Sequence, residues 1–162
     1  MPSGQSRLNR RRDGYDVVMT HISRTFTVTS PPEVVLGYLK DFSHAEEWDP
    51  GTETCQRLDS GPVTVGSRWH NTSKIAGVST ELEYELKELT DTKVVFAGSN
   101  DTATTIDAIT VLPAAQGSEI TYDADIELSG AAKLATPVVK LVFEKIGSDT
   151  EEDMITVLNR LT

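Results

Sequence analysis

The sequence is poor in the features that mark membrane, secreted and metal-binding chains. It contains one cysteine, Cys55, which can supply neither an internal disulfide nor a thiolate cluster for a metal. No run approaches the roughly 18 consecutive apolar residues of a membrane-spanning helix. We therefore expect a protein of a reducing compartment, the cytoplasm, without stable membrane insertion.

Basic residues are also scarce. The chain has 15 Lys and Arg against 25 Asp and Glu, which gives a net charge of -10, and hydrophobic residues make up 38% of its 162 positions. An acidic body repels a phosphate backbone, so we expect no nucleic-acid binding. The length and the apolar content predict one globular domain rather than two domains or a disordered chain.

The N-terminal segment, residues 1–18, concentrates four arginines: Arg7, Arg10, Arg11 and Arg12. It shows no apolar period, and polar residues follow the arginines where a secretory signal would have an apolar stretch. We predict a disordered basic tail here and a folded domain over residues 19–162. The alternatives are a tail that contacts acidic partners, and translation that begins at Met19.

Patterning over the rest of the chain predicts one strand, two short helices, six strands and a long C-terminal helix. Residues 21–29 alternate apolar and polar side chains, as a half-buried strand does. Ser30 and Glu33 have the spacing of a capping box and predict a helix from Pro32 to Leu39, with a second helical segment ending near Trp48. Short turns predict six antiparallel strands over about residues 53–58, 66–75, 79–88, 93–98, 102–112 and 117–128.

One face of this sheet is expected to be covered, because Leu82, Tyr84 and Leu86 alternate with glutamates. The cover is the C-terminal segment, in which apolar residues recur at helical spacing. These residues are Leu134, Val138, Leu141, Val142, Ile146, Met154, Val157, Leu158 and Leu161. Within it Gly147, followed by a serine and Glu151 three residues later, predicts a kink or break.

Several short motifs accompany this order of elements: Ser30-Pro31-Pro32-Glu33-Val34-Val35, Asp41, Trp48-Asp49-Pro50, Gly66, Gly77 and Gly117-Ser118. Together they resemble the START-like (SRPBCC) superfamily of polyketide cyclase/dehydrase and lipid-transport type. These motifs are fold markers and not catalytic residues. The resemblance implies an α+β helix-grip fold, a curved antiparallel sheet of about seven strands with a long C-terminal helix packed across it and an apolar ligand cavity between them.

A cavity of this kind would take a small hydrophobic ligand such as a lipid, a polyketide-like aromatic or an isoprenoid. Strand parity turns Trp69, Asn71 and Ser73 inward, and neutral polar groups beside aromatic rings suit a ligand with hydroxyl or carbonyl groups. The alternative is a filled core in which Asn71 and Ser73 bond to backbone or water. The candidate ligand-binding residues are Trp69, Asn71, Ser73, Tyr84, Phe96, Tyr122, Val138 and Val142.

No catalytic motif is recognisable in the sequence. His21, His44 and His70 lie in surface-like contexts, and there is no paired His/Cys spacing, nucleophile elbow or glycine-rich phosphate loop, so we expect neither a metal nor another cofactor. Arg24 and Asp107 share strand parity with inward apolar residues. Each is a candidate ligand anchor, and Asp107 a candidate general base with a pKa raised by burial, unless sheet ends or a bulge bring them to solvent.

Three functions are compatible with the sequence. The first is binding of a small hydrophobic molecule in the cavity. The second is an aromatase/cyclase-type enzyme that directs aldol condensation and dehydration of a poly-β-ketone, with candidate residues Arg24, Asn71, Tyr84, Asp107 and Tyr122. The third is a protein-interaction module of stress-response type, which a large exposed apolar patch would favour. Whether the chain is a monomer or a dimer is not determined by the sequence.

Overall fold

The structure is a computed structural model that describes residues 18–75, 77–129 and 136–161, with side chains from residue 19 onward and, in the last range, from residue 140 onward. The predicted tail, up to residue 17, lies outside these residues, so its disorder stays a prediction. The elements are β1 (Val18–Val28), α1 (Pro32–Leu39), a 3₁₀ turn (Phe42–His44), α2 (Ala45–Trp48), β2 (Thr52–Arg57), β3 (Arg68–Ile75), β4 (Val78–Leu89), β5 (Lys93–Ser99), β6 (Ala103–Ala114), β7 (Gly117–Leu128) and α3 (Thr136–Leu158).

All seven described strands form one antiparallel sheet in the order β1-β7-β6-β5-β4-β3-β2. Consecutive strands from β2 to β7 pair as hairpins, and β1 pairs with β7, in register from Val18 opposite Leu128 to Val28 opposite Ser118. Helix α3 packs against β1 and α2 on one face of this sheet. The α+β helix-grip architecture predicted from the sequence is confirmed. None of the helices described is long and apolar enough to cross a bilayer.

The predicted capping box at the start of α1 is wrong, although the helix begins and ends where the pattern placed it. The N-cap is Pro31, and no side chain caps the helix. The Ser30 hydroxyl points instead to the far end of the chain, where it is within hydrogen-bond distance of the carbonyl oxygens of Leu158 (2.5 Å) and Leu161. Tertiary partners therefore displaced a local hydrogen bond, and the buried Ser30 connects the start of α1 to the end of α3.

Of the kink or break predicted at Gly147, the break is wrong, because α3 is helical without interruption from Thr136 to Leu158. Gly147 has a different use. A Cβ at this position would lie 2.6 Å from the Cγ2 atom of Ile22 on β1. The missing side chain thus allows the helix to approach the sheet closely. The Ser148 hydroxyl bonds back to the carbonyl of Glu144 within α3 and does not start a new helix.

The face of α3 predicted to cover the sheet is confirmed in part. Met154 and Leu158 are buried as predicted, but Leu141 is 72% exposed and Phe143, which was not in the predicted set, is buried. The helix carries apolar residues around more than one side, so periodicity alone did not fix every residue of the buried stripe. On the sheet, the predicted inward face is confirmed by the burial of Leu82, Tyr84 and Leu86.

Candidate functional site

A cavity of about 120 Å³ lies between the concave face of the sheet and α3. Its walls are mostly apolar side chains from the strands, closed on the helix side by Phe143, Ile146 and Gly147. Both the sheet and the turn after α2 contribute polar groups. The residues lining it are Ile22, Asp49, Gly51, Ser73, Ile75, Thr80, Leu82, Tyr84, Ala103, Thr105, Asp107, Tyr122, Ala124, Ile126, Leu128, Phe143, Ile146 and Gly147.

Asp107 on β6 is the centre of a buried polar cluster in the cavity wall. The Tyr122 hydroxyl donates to its Oδ1 atom at 2.7 Å, and the Thr105 hydroxyl donates to its Oδ2 atom at 2.9 Å. Asp107 is only 6% exposed. Burial raises the pKa of Asp107 to about 6, with a further upward contribution from the charge of Asp49, while the two hydroxyl donors oppose the rise. The carboxyl can therefore change its charge near neutral pH.

A second polar chain reaches the cavity from β2 and β3. The Ser73 hydroxyl donates to Asn71 Oδ1 at 2.5 Å, the Asn71 amide donates to the Thr52 hydroxyl at 2.9 Å, and Thr52 donates to Asp49 Oδ2 at 2.8 Å. The Gly51 N–H donates to the other Asp49 oxygen. Burial raises the pKa of Asp49, and the nearby Asp153 raises it further. Asn71 and Ser73 thus hydrogen-bond to each other, and Asn71 also to Thr52.

Tyr84 lines the cavity from β4, which lies between β3 and β6 in the sheet and so between the polar chain of Ser73 and the polar cluster of Asp107. Its ring lies against Gly98 on β5, where a Cβ would be 2.6 Å from the ring atoms Cε1 and Cζ. Tyr84 is 6% exposed. Thr105 is close to its hydroxyl, but the Thr105 hydroxyl donates to Asp107. The Thr105 oxygen can still accept from the Tyr84 hydroxyl, which leaves the lone pairs of the Tyr84 oxygen available to a ligand.

Arg24 does not line the cavity. Its guanidinium donates to Glu144 Oε2 at 3.1 Å and to the Glu144 carbonyl at 3.2 Å, and it lies 3.8 Å from a carboxylate oxygen of Glu151. The side chain is 21% exposed. Arg24 consequently joins the edge strand β1 to α3, a position in which its charge is paired and partly solvated.

The predicted ligand-binding residues divide into three groups. Ser73, Tyr84 and Tyr122, together with Asp107, lie in the cavity wall. Asn71 is buried behind Ser73, whose hydroxyl donates a hydrogen bond to the Asn71 side chain. The other four do not line the cavity or are not described: Trp69 and Phe96 pack edge-on in the filled part of the core, Val142 is half-buried outside the lining, and the side chain of Val138 is outside the described residues.

The remaining reactive residues lie away from the cavity. His21 is 48% exposed beside Asp125, and His70 is beside Glu81 on the outer face. His44, expected at the surface, is half-buried and stacks on Tyr38 with ring centroids 4.1 Å apart. Burial raises the pKa of the Cys55 thiol to about 12, so it is a poor nucleophile.

Sequence reasoning missed Asp49, Thr105 and Phe143 as cavity residues. Asp49 was interpreted only as the end of the second helical segment, and no local pattern indicates that this turn faces the sheet. Thr105 shares strand parity with Asp107, so its inward direction was available from the sequence. Phe143 lies on α3 but was not among the apolar residues whose spacing predicted the buried side of that helix.

A family model described as polyketide cyclase/dehydrase and lipid transport matches residues 19–154. No curated protein sequence matches the chain. Solved structures share the fold at low sequence identity. An aromatase/cyclase from Streptomyces sp. R1128 has a TM-score of 0.71 at 15% identity, with 88% of this chain and 94% of that chain covered.

Two further structures extend this likeness. A START superfamily protein from Mycobacterium smegmatis has a TM-score of 0.69 at 14% identity, with 88% of this chain and 99% of that chain covered. A di-domain aromatase/cyclase from the steffimycin biosynthetic pathway has a TM-score of 0.66 at 10% identity, with 88% of this chain and 50% of that one covered. At these identities the likeness establishes the fold.

Proposed function

The chain belongs to the polyketide cyclase/dehydrase and lipid transport family, and on that basis we propose that it binds a small hydrophobic molecule between the sheet and α3. The observation that carries the proposal is a mostly apolar cavity with a few polar groups in its wall, among them Asp107, Tyr122 and Tyr84. Binding sites for small molecules commonly combine apolar walls with a few placed polar groups that fix the orientation of the ligand.

The volume of the cavity limits the part of the ligand that it encloses. An engineered apolar cavity of about 150 Å³ binds benzene, so about 120 Å³ encloses about one ring. A hydroxyl or carbonyl on such a ring would reach the Tyr84 hydroxyl or the Asp107–Tyr122 pair. A larger lipid or polyketide would leave most of its atoms outside the enclosed space.

The experiment is native mass spectrometry of the gently purified chain, followed by organic extraction and displacement assays with single-ring and fused-ring compounds. Ala124 lines the cavity, so Ala124→Leu should fill it and weaken binding at least tenfold. Ala108→Leu, on the outer face of β6, is the matched control and should bind as the natural chain does. A folded protein with no extractable molecule and no displacement by any compound would contradict the proposal.

A second candidate function, a cyclase or dehydratase, is favoured by the state of Asp107. Aldol condensation requires a base that removes a proton next to a carbonyl, and dehydration requires an acid that protonates the departing hydroxyl. A buried carboxyl with a pKa of about 6 beside a cavity suits either step. With a short poly-β-ketone as substrate, Asp107→Asn should abolish turnover and leave binding within about threefold. Parallel losses of both would indicate an anchoring residue only.

The third candidate, an interaction module, has less support. The large exposed apolar residues of the described chain are spread from β1 to α3: Met19, Leu58, Val65, Val78, Ile106, Leu112 and Leu141. The cytoplasmic location and the absence of nucleic-acid binding stay predictions, and the oligomeric state is open.

A further inference from the structure

The cavity wall carries charge of one sign only. Among the described residues that line it, Asp49 and Asp107 are acidic and none is basic. We infer that the ligand carries a cationic head, a protonated amine on an apolar body of about one ring. The inference rests on the proposed binding function and specifies the class of ligand.

Both carboxyl groups retain capacity for a ligand. Asp107 accepts from Tyr122 and Thr105, and Asp49 accepts from the Thr52 hydroxyl and the Gly51 N–H. A carboxylate offers about four acceptor sites, so each retains free lone pairs. These donors are all neutral. The arrangement therefore holds two acceptors in fixed positions at the cavity and neutralises neither of them.

The charged groups described around Asp49 and Asp107 include no cation that would compensate for the charge of these two carboxylates. Asp125 on β7 acts on Asp107, and Asp153 on α3 acts on Asp49. The α3 residues in the cavity wall are uncharged. The guanidinium of Arg24, on the same strand as the lining residue Ile22, is engaged by Glu144 and Glu151. A buried carboxylate without a paired charge is unfavourable, and an ammonium group in the cavity would remove that cost.

A second, independent observation is the Tyr84 hydroxyl. It belongs to a side chain that is 94% buried and lines the cavity, and donation of its proton to Thr105 leaves the lone pairs of its oxygen to accept from a ligand. A hydroxyl of this kind accepts a hydrogen bond from an ammonium group. The rings of Tyr84, Tyr122 and Phe143 also face the cavity, and aromatic faces attract cations. An anionic head such as a fatty-acid carboxylate would meet two like charges instead.

Isothermal titration calorimetry on the full chain tests the inference with three probes of matched size: 2-phenylethylamine, 2-phenylethanol and phenylacetate. At about pH 8, where Asp107 is ionised, the amine should bind at least tenfold more tightly than the alcohol, and phenylacetate should bind most weakly. Near pH 6 the bound amine favours ionised Asp107, so its binding should release a proton, detectable from titrations in buffers of different ionisation enthalpy. The alcohol should release none.

Asp107→Asn should reduce the affinity for the amine to within about threefold of the affinity for the alcohol, and it should abolish proton release on amine binding. Asp123→Asn, which removes the same charge from the outer face of the neighbouring strand β7, is the control and should keep the preference for the amine. If Asp107→Asn does not fold, the proton release of the natural chain still decides the question. Alcohol binding as tight as amine binding, without proton release, would overturn the cationic ligand and leave the proposed binding function intact. Failure of all three probes at millimolar concentration would contradict both.

Discussion

The hydroxyl of Tyr122 reaches Asp107 diagonally across two strands. The residue directly opposite Asp107 is Ala124, and Tyr122 is opposite Ile109. Because the side chain of Ala124 is small, it leaves space above Asp107 that the ring of Tyr122 only partly fills, and its hydroxyl oxygen lies 2.7 Å from the carboxylate. This diagonal pair, with the space beside it, produces the polar part of the cavity.

The buried Asp107 predicts a specific dependence of stability on pH. Its pKa is raised from 3.8 to about 6 in the folded chain. Between about pH 4 and pH 6 the folded state retains a proton that the unfolded chain releases, so raising the pH through this window favours unfolding, by up to about 3 kcal/mol from this group. The stabilising contribution of Asp107 is complete below the pKa that its carboxyl has in the unfolded chain, and it is lost as the pH rises through the pKa of the folded chain.

Urea denaturation of the natural chain and of Asp107→Asn at a series of pH values measures this effect. The unfolding free energy of the variant should rise relative to that of the natural chain by about 2–3 kcal/mol between pH 4 and pH 7. Asp123→Asn on the outer face should show no such rise. A free-energy difference that is constant with pH would show that Asp107 titrates normally.

Removing the hydroxyl of Tyr122 should raise the pKa of Asp107 further, because its hydrogen bond stabilises the ionised carboxyl. Tyr122→Phe should also lower stability by about 1 kcal/mol. The carboxyl carbon of Asp107, followed by NMR over a pH titration, reports the change. Tyr84→Phe is the matched control, since that hydroxyl makes no hydrogen bond to Asp107 and its loss should shift the titration less. Equal shifts of the Asp107 pKa in Tyr122→Phe and Tyr84→Phe would refute the special role of the hydrogen bond between Tyr122 and Asp107.

The two glycines in helices predict opposite effects of alanine. At Gly147 the new Cβ would lie 2.6 Å from Ile22, so Gly147→Ala should destabilise the chain by about 1–3 kcal/mol despite the better helix propensity of alanine. At Gly37 in α1 nothing lies within 4 Å, so Gly37→Ala should stabilise by about 0.5–1 kcal/mol. Chemical denaturation of both variants checks the sign. Stabilisation by both would mean that α3 does not approach β1 this closely.

Loss of the Ser30 hydroxyl should loosen the end of α3. Ser30→Ala leaves the carbonyls of Leu158 and Leu161 without that donor and should destabilise the chain by about 1–2 kcal/mol. Amide hydrogen exchange should accelerate over the last turn of α3. Ser23→Ala, at an exposed position on β1, is the comparison and should leave both quantities unchanged. Faster exchange at α1 instead would support the capping box that the sequence predicted.

The inward direction of side chains on β3, β4, β6 and β7 followed from the sequence, because strand geometry sends alternate residues to opposite faces. Strand parity alone places four cavity residues on one face: Ser73, Tyr84, Asp107 and Tyr122. The same parity also directed Trp69 and Phe96 inward, but it does not distinguish a wall of a cavity from a filled core. That difference depends on which facing residues are small, and only the assembled layers show it.

The sequence by itself therefore determined the order of elements, the antiparallel sheet and the set of residues on its concave face, since these depend on local periodicity and turn chemistry. The tertiary structure decided the rest. How closely α3 approaches β1 depends on the missing side chain at Gly147, and the partners of Ser30 lie at the other end of the chain. The meeting of Asp49 with Asp107 at one cavity joins a turn and a strand that are far apart in sequence. No local pattern encodes such a distance, because it is fixed only when the sheet curves around the helix.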